Sequence, residues 1–320
     1  MLSRRHLRIK TLQALYSYFV SNDVELGVGE KNMLRSTERI FELIIYQISF
    51  LVELVKFARK RIEENKLKFY PTEEDLHPNT KFIDNLFIGK LIQNRDFMRR
   101  VNAYKINWSD ETEMVRKIYN ELISSTSYKR YMQTSDINFE NDRNFLIRVF
   151  KENVAENNAL AFFYEEKNIS WVSDIDIANQ LVIKIIKGIT EDQHDFDPLP
   201  PLYSLDGKEE PDEDKKYQIM LYHKVILKSN EFEKIVQEKA SNWELNRIAL
   251  MDIILLKMAL AELMEFPTIP VKVTLNEYIE LSKYFSTPKS GVFINGILDK
   301  LISELKKTKK IVKTGRGLIE

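Results

Sequence analysis

The 320-residue sequence contains no cysteine. That excludes a disulfide framework, thiolate metal ligation and a cysteine nucleophile, and it suits a reducing, cytoplasmic environment. Histidine is almost as scarce: His6, His77, His194 and His223 stand in four unrelated contexts, with no HExxH or other ligand pair at helical spacing. No metal site and no cofactor is expected. Glycine-rich phosphate loops are missing too. "LGVGEK" (26–31) has Gly27 and Gly29 but neither the third glycine nor the preceding strand of a dinucleotide fingerprint, and it reads as a flexible turn. Nor is there an uninterrupted membrane-length apolar run. The two best candidates, 40–58 and 247–266, are broken by Glu42, Glu53 and Lys56 and by Asp252, Lys257 and Glu262, so no membrane association is expected. The N-terminus lacks the apolar stretch and small-residue cleavage site of an export signal. Asp174 and Asp176, the nearest approach to a paired-carboxylate site, read as residues at a helix start, and the chain is expected not to be an enzyme.

With only nine glycines and nine prolines, and with apolar residues recurring at 3.6-residue spacing instead of alternating, the chain is expected to be all-α. Helices are predicted over about 4–20, 31–65, 81–103, 110–130, 140–166, 171–189, 213–228, 231–265, 271–285 and 288–307. Proline and acidic residues gather at 195–216, "DFDPLPPLYSLDGKEEPDEDKK", which lacks the ligand spacing of a calcium loop and reads as a solvated junction.

Net charge is zero, but it is not evenly spread. Residues 1–22 carry +4, residues 306–320 carry +5, and the stretch between carries −9. Basic ends on an acidic body suit contact with a polyanion. In "SRRHLRIKTLQALYSYF" (3–19), Arg5, Arg8, Leu12, Tyr16 and Phe19 fall on one helical face, so the arginines continue the apolar stripe instead of opposing it. Two turns that overhang the core, or that order on meeting an anion, would produce this pattern; guanidinium forks match phosphate oxygens, and Lys10 adds a point charge. In "YFSTPKSGVFINGILDKL" (284–301), Thr287 as a cap with Pro288 at the first helical position puts Lys289, Ser290 and Gly291 at a turn of unsatisfied N–H groups. Phe293 is close enough to offer a ring to a base.

Together these stretches resemble the NusB family of transcription antitermination factors. "RRHLRIKTLQALYSYF" is similar to that family's arginine-rich start and "QALY" helix. Residues 247–301 resemble its C-terminal signature, with the Ile269–Pro270 turn, Asn276–Glu277 and "FINGILDK" from Phe293 to Lys300. The resemblance covers 4–22 and 213–305, roughly a third of the chain. It implies an all-α fold of two small helical bundles that binds single-stranded boxA-type RNA together with NusE, a small-subunit ribosomal protein, within the RNA polymerase elongation complex. It implies no catalysis. Carried over by position, Arg4, Arg5, Arg8, Gln13 and Tyr16 face RNA from the first helix, Lys289, Ser290 and Phe293 face it from the last, and the helix around Asp252 and Lys257 supplies part of the NusE-binding face.

Residues 23–212 have no counterpart in that pattern and are expected to form an inserted helical subdomain. It would lie between the basic helix of 1–22 and a bundle of 213–305, with 306–320 as a basic tail; Ile40, Leu43, Ile44, Phe50, Leu54 and Phe57 read as its packing stripe. Two other readings stand beside this one. The NusB-like part could target an RNA cytosine methyltransferase-like activity, although the glycine-rich methyl-donor motif and catalytic cysteines of such enzymes are missing here, or the chain could be a protein-only helical scaffold.

Overall fold

The computed structural model describes residues 2–21, 24–203, 213–239 and 248–318. Parts of the expected junction (204–212) and of the expected 231–265 helix (240–247) lie outside these. Among the described residues there are fifteen α-helices and no strand. They are α1 (Arg4–Val20), α2 (Leu26–Lys66), α3 (Glu73–Leu76), α4 (Leu86–Gln93), α5 (Arg95–Ala103), α6 (Thr112–Ser124), α7 (Thr126–Gln133), α8 (Phe139–Val149), α9 (Asn158–Lys167) and α10 (Ile175–Gly188), followed by α11 (Glu213–Leu227), α12 (Ser229–Lys239), α13 (Leu250–Glu265), α14 (Val271–Phe285) and α15 (Ser290–Lys307). The chain divides into two compact units, one of Met1–Thr37 with Tyr203–Glu320, the other of Glu38–Leu202.

The first unit is built around α13. Every residue from Ile254 to Leu263 is buried, which is what a helix apolar on nearly all sides requires. The neighbours α1, α11, α12, α14 and α15 all contact it, supplying Leu7, Leu12, Tyr222, Phe232, Tyr278 and Leu298 to the core. The second unit repeats the principle with the later part of α2, where every residue from Leu43 to Val52 is buried. Aromatic rings pack around it edge to face: Trp108 meets Tyr46 at 5.9 Å and Phe50 at 5.0 Å, and Trp171 meets Tyr46 at 5.4 Å between ring centroids. Ile40, Leu43, Ile44, Phe50 and Leu54 are buried as the stripe predicts, and Phe57 sets its ring edge-on to Tyr119. The two membrane-like runs of the sequence are thus the central helices of the two units. No described helix is long and apolar enough to cross a membrane.

Several expectations are corrected. Residues 26–31 are not a turn but the opening of α2, and Gly29 is buried where a Cβ would fall 2.0 Å from the Tyr222 hydroxyl oxygen. The predicted 81–103 helix is two helices meeting at Asn94, whose side chain accepts from Phe97 N–H and so caps the second. The predicted 110–130 helix breaks at Ser125, which caps α7 by accepting from Tyr128 N–H. The predicted 140–166 helix widens into a π-turn at Phe150–Val154 and restarts after the Asn157 cap. The last helix begins at Ser290, two residues later than a Thr287 cap with Pro288 would set it.

Candidate nucleic-acid interface

Three arginines on the first two turns of α1 each find a carboxylate on a different helix. Arg8 is bidentate to Glu262 of α13, with Nε to Oε2 and Nη2 to Oε1 both 2.8 Å. Arg5 is bidentate to Glu277 of α14, at 2.9 and 2.7 Å. Arg4 Nε lies 3.3 Å from Asp214 Oδ1 of α11, and its guanidinium sits over the Tyr217 ring. The expectation that these turns overhang the core is therefore overturned: they are stitched to it.

The innermost pair is wholly inside, with side chains 3% and 0% exposed. A buried carboxylate needs every lone pair answered. Glu262 also accepts from Tyr217 Oη at 2.6 Å, Thr274 Oγ1 at 2.8 Å and Tyr278 Oη at 3.2 Å. Burial alone would push the Glu262 carboxyl up, but Arg8, Tyr217 and Thr274 together hold it below the usual carboxylate range. Burial opposes the charge on Arg8 as well, yet Tyr217 and Glu262 keep its pKa raised. For Tyr217 and Tyr278, burial and then the Glu262 charge push the phenols well above their ordinary value. His6, hydrogen-bonded to Ser3 Oγ at 2.7 Å, is drawn down by burial and by the adjacent Arg5.

Arg8 is thus placed as a core residue and not as an RNA contact. Arg4 and Arg5 keep outward edges, with side chains 38% and 46% exposed. Lys10, read as an added point charge, is buried with Nζ 3.3 Å from Ser36 Oγ. Tyr16 is exposed and Gln13 half-buried on the same helix. Between α1 and its partners lies a cleft of about 1130 Å³, whose walls include Arg4, Arg5, His6, Glu277 and Arg316.

At the start of α15, Lys289 is exposed and Phe293 half-buried. Ser290 is 1% exposed; its hydroxyl donates to Asp252 Oδ2 at 2.8 Å and accepts from Thr287 N–H at 3.1 Å. It fastens α15 to α13 and does not face outward. Asp252 uses Oδ2 in that bond, and its buried Oδ1 has no hydrogen-bond partner among the described residues. Lys257 is buried, with Nζ donating to Glu233 Oε2 at 2.7 Å and Ser229 Oγ at 2.9 Å. So the side chains expected to form a partner face instead join α13 to α15 and α12. The described partners of Arg4, Arg5 and Arg8 lie on α11, α13 and α14, none on α15. Sequence reasoning missed Glu262, Tyr217 and Tyr278, because a single acid in an apolar run and two tyrosines carry no spacing signal that pairs them with an arginine so far away.

The helix that carries Glu262, and the Glu277 and Ser290 helices after it, lie in a stretch with many relatives. A model of the NusB family matches residues 174–303. The transcription antitermination protein NusB of Koribacter versatilis is 30% identical over 133 residues, 42% of this chain and 91% of that protein. The chain belongs to the NusB family. The NusB of Salinibacter ruber is 42% identical over 99 residues, 31% of this chain and 62% of its own length. That of Chloroherpeton thalassium is 39% identical over 106 residues, 33% of this chain and 50% of its own. The chain thus spans only half to three fifths of those last two NusB proteins. No solved structure matches. The NusB match includes α10 through most of α15 and leaves out α1, the rest of the second unit, and the tail beyond residue 303.

Proposed function

We propose that this chain is a noncatalytic, cytoplasmic RNA-binding antitermination factor that takes boxA-type single-stranded RNA together with NusE and acts on the elongating RNA polymerase to keep rRNA transcription processive. Membership of the NusB family carries this reading, and the outward edges of Arg4 and Arg5 support it. In this reading Arg4, Arg5, Gln13 and Tyr16 meet RNA from α1, and Lys289 and Phe293 meet it from α15. Arg8 and Ser290 position those groups from beneath. Asp252 and Lys257 shape the NusE-facing side by holding α13 against its neighbours. Residues 38–202 are the second unit, which the RNA site does not need, although the NusB match begins at residue 174 and so takes in its last helix, α10.

Arg5 held flat by Glu277 is oriented before RNA arrives, which lowers the ordering cost of a phosphate contact. The carboxylate also offsets part of its charge, so this contact should add less to the salt dependence than a free arginine would. The test is titration of boxA-type RNA at several salt concentrations, with and without NusE. Replacing Arg4 and Arg5 together by Ala should weaken binding and flatten the log–log salt slope by about 0.7 for each single-strand phosphate that the protein ceases to neutralise. Unaltered affinity and slope in folded protein would sink the α1 site.

A further inference from the structure

Beyond residue 303, where the family match ends, the chain returns to the foot of α13. Lys313 Nζ donates to the carbonyl oxygens of Phe266 at 2.9 Å and Glu262 at 3.4 Å, capping the carbonyl end of that helix. Thr314 N–H donates to Pro267 O at 3.0 Å, and Gly317 N–H to Thr314 O at 2.9 Å. Two glycines bracket the next residue for different reasons. Gly315 has φ +54°, which disfavours a side chain, and a Cβ on Gly317 would fall 1.9 Å from Pro267 O, a backbone atom that cannot give way. The residue they bracket is Arg316, which is exposed and lines the same cleft as Arg4, Arg5 and His6.

The charges around that cleft decide what Arg316 is for. Arg4, Arg5 and Arg8 already face Asp214, Glu277 and Glu262, and Arg4 also faces Glu213 at 4.0 Å. Arg316 makes no ion pair among the described residues. We propose that residues 313–318 form a strap that extends the RNA face, and that Arg316 binds a backbone phosphate there. The assignment rests on the RNA-binding reading above and adds an element to it. A guanidinium on a docked strap is held ready for a phosphodiester, and it contacts the backbone without reading a base.

The test uses the full chain with NusE and two single-stranded RNAs, a boxA-type oligonucleotide and a scrambled one of equal length, titrated across salt. Arg316→Gln removes the charge and leaves the strap. It should flatten the salt slope by about 0.7 and weaken both RNAs by the same factor. Gly317→Val keeps the arginine but lifts the strap from Pro267, and it should reproduce the loss while helical circular dichroism is unchanged. Arg5→Gln is the control. If Arg5→Gln weakens binding and Arg316→Gln does not, the strap assignment falls and the RNA-binding reading stands. If neither variant changes binding, the RNA-binding reading fails and takes the strap with it. A loss from Arg316→Gln confined to the boxA-type RNA would overturn the phosphate assignment, because a backbone contact is blind to sequence.

Discussion

Arg5 and Arg8 sit one helical turn apart, each gripping a glutamate with two hydrogen bonds, yet the surroundings of the two pairs differ completely. Water reaches the Arg5 pair, so its loss should cost stability no more than about 1 kcal/mol. Arg8→Ala leaves the buried Glu262 charge without its counter-ion and should cost about 3–5 kcal/mol, read as a large fall in the thermal midpoint. The acid limb gives a second readout. The Glu262 carboxyl titrates below its ordinary 4.5 in the folded chain, so its contribution is complete above about that pH and disappears as pH falls through the folded value. Without Arg8, burial is opposed only by the hydroxyls of Tyr217, Thr274 and Tyr278, and the pKa of the carboxyl rises. The parent therefore loses the Glu262 contribution as pH falls while Arg8→Ala is relieved of its buried charge, so the stability gap between the two should narrow toward acid pH, measured by thermal melts across pH 3–7. A gap that stays constant across that range would show that the Glu262 titration does not depend on Arg8.

The opening of α2 provides a paired test at the level of the element. Gly27 has nothing within 4 Å of where a Cβ would be, so Gly27→Ala should stabilise by about 0.5–1 kcal/mol through helix propensity alone. Two residues on, Gly29→Ala drives a methyl group into the buried Tyr222 ring and should instead destabilise by about 1–3 kcal/mol. Opposite signs for two identical substitutions in one helical turn would be visible in denaturant midpoints. At the far end of the chain, Lys289→Glu places an acid beside the N-terminus of α15, where the helix dipole tolerates it, so RNA affinity should fall while the melt is unchanged. What was legible in the sequence follows the same physics. α1 and α14 run from Arg4 to Val20 and from Val271 to Phe285 as expected: α14 is a single amphipathic run, and α1 buries Leu7, Leu12 and Leu15 together with Arg8, Lys10 and Thr11. The breaks at Asn94, Ser125 and Asn157 were not legible. Each is a polar residue that would also sit well on the wet face of an unbroken helix, and only the N–H group it accepts from marks it as a cap. The site divides similarly: the arginines declare themselves by position in α1, whereas their carboxylates are assigned only by the packing of α11, α13 and α14.

The whole chain has two cores, each around one nearly enclosed helix, and α2 runs unbroken through the boundary at Thr37 and Glu38. A chain in which a short flexible linker replaces 38–202 should remain soluble and helical, melt cooperatively and keep measurable RNA affinity. An unfolded product with several linkers would mean that the second unit completes the first. The pairing of Arg8 with Glu262 across 254 residues also sets a timetable during synthesis. At about 5–20 residues per second, α1 leaves the ribosome roughly 13–50 s before its partner helix exists. Leu7, Leu12 and Leu15 have no core to enter during that interval, and the whole of 38–202 is made within it. The part of the protein translated first is thus among the last to close.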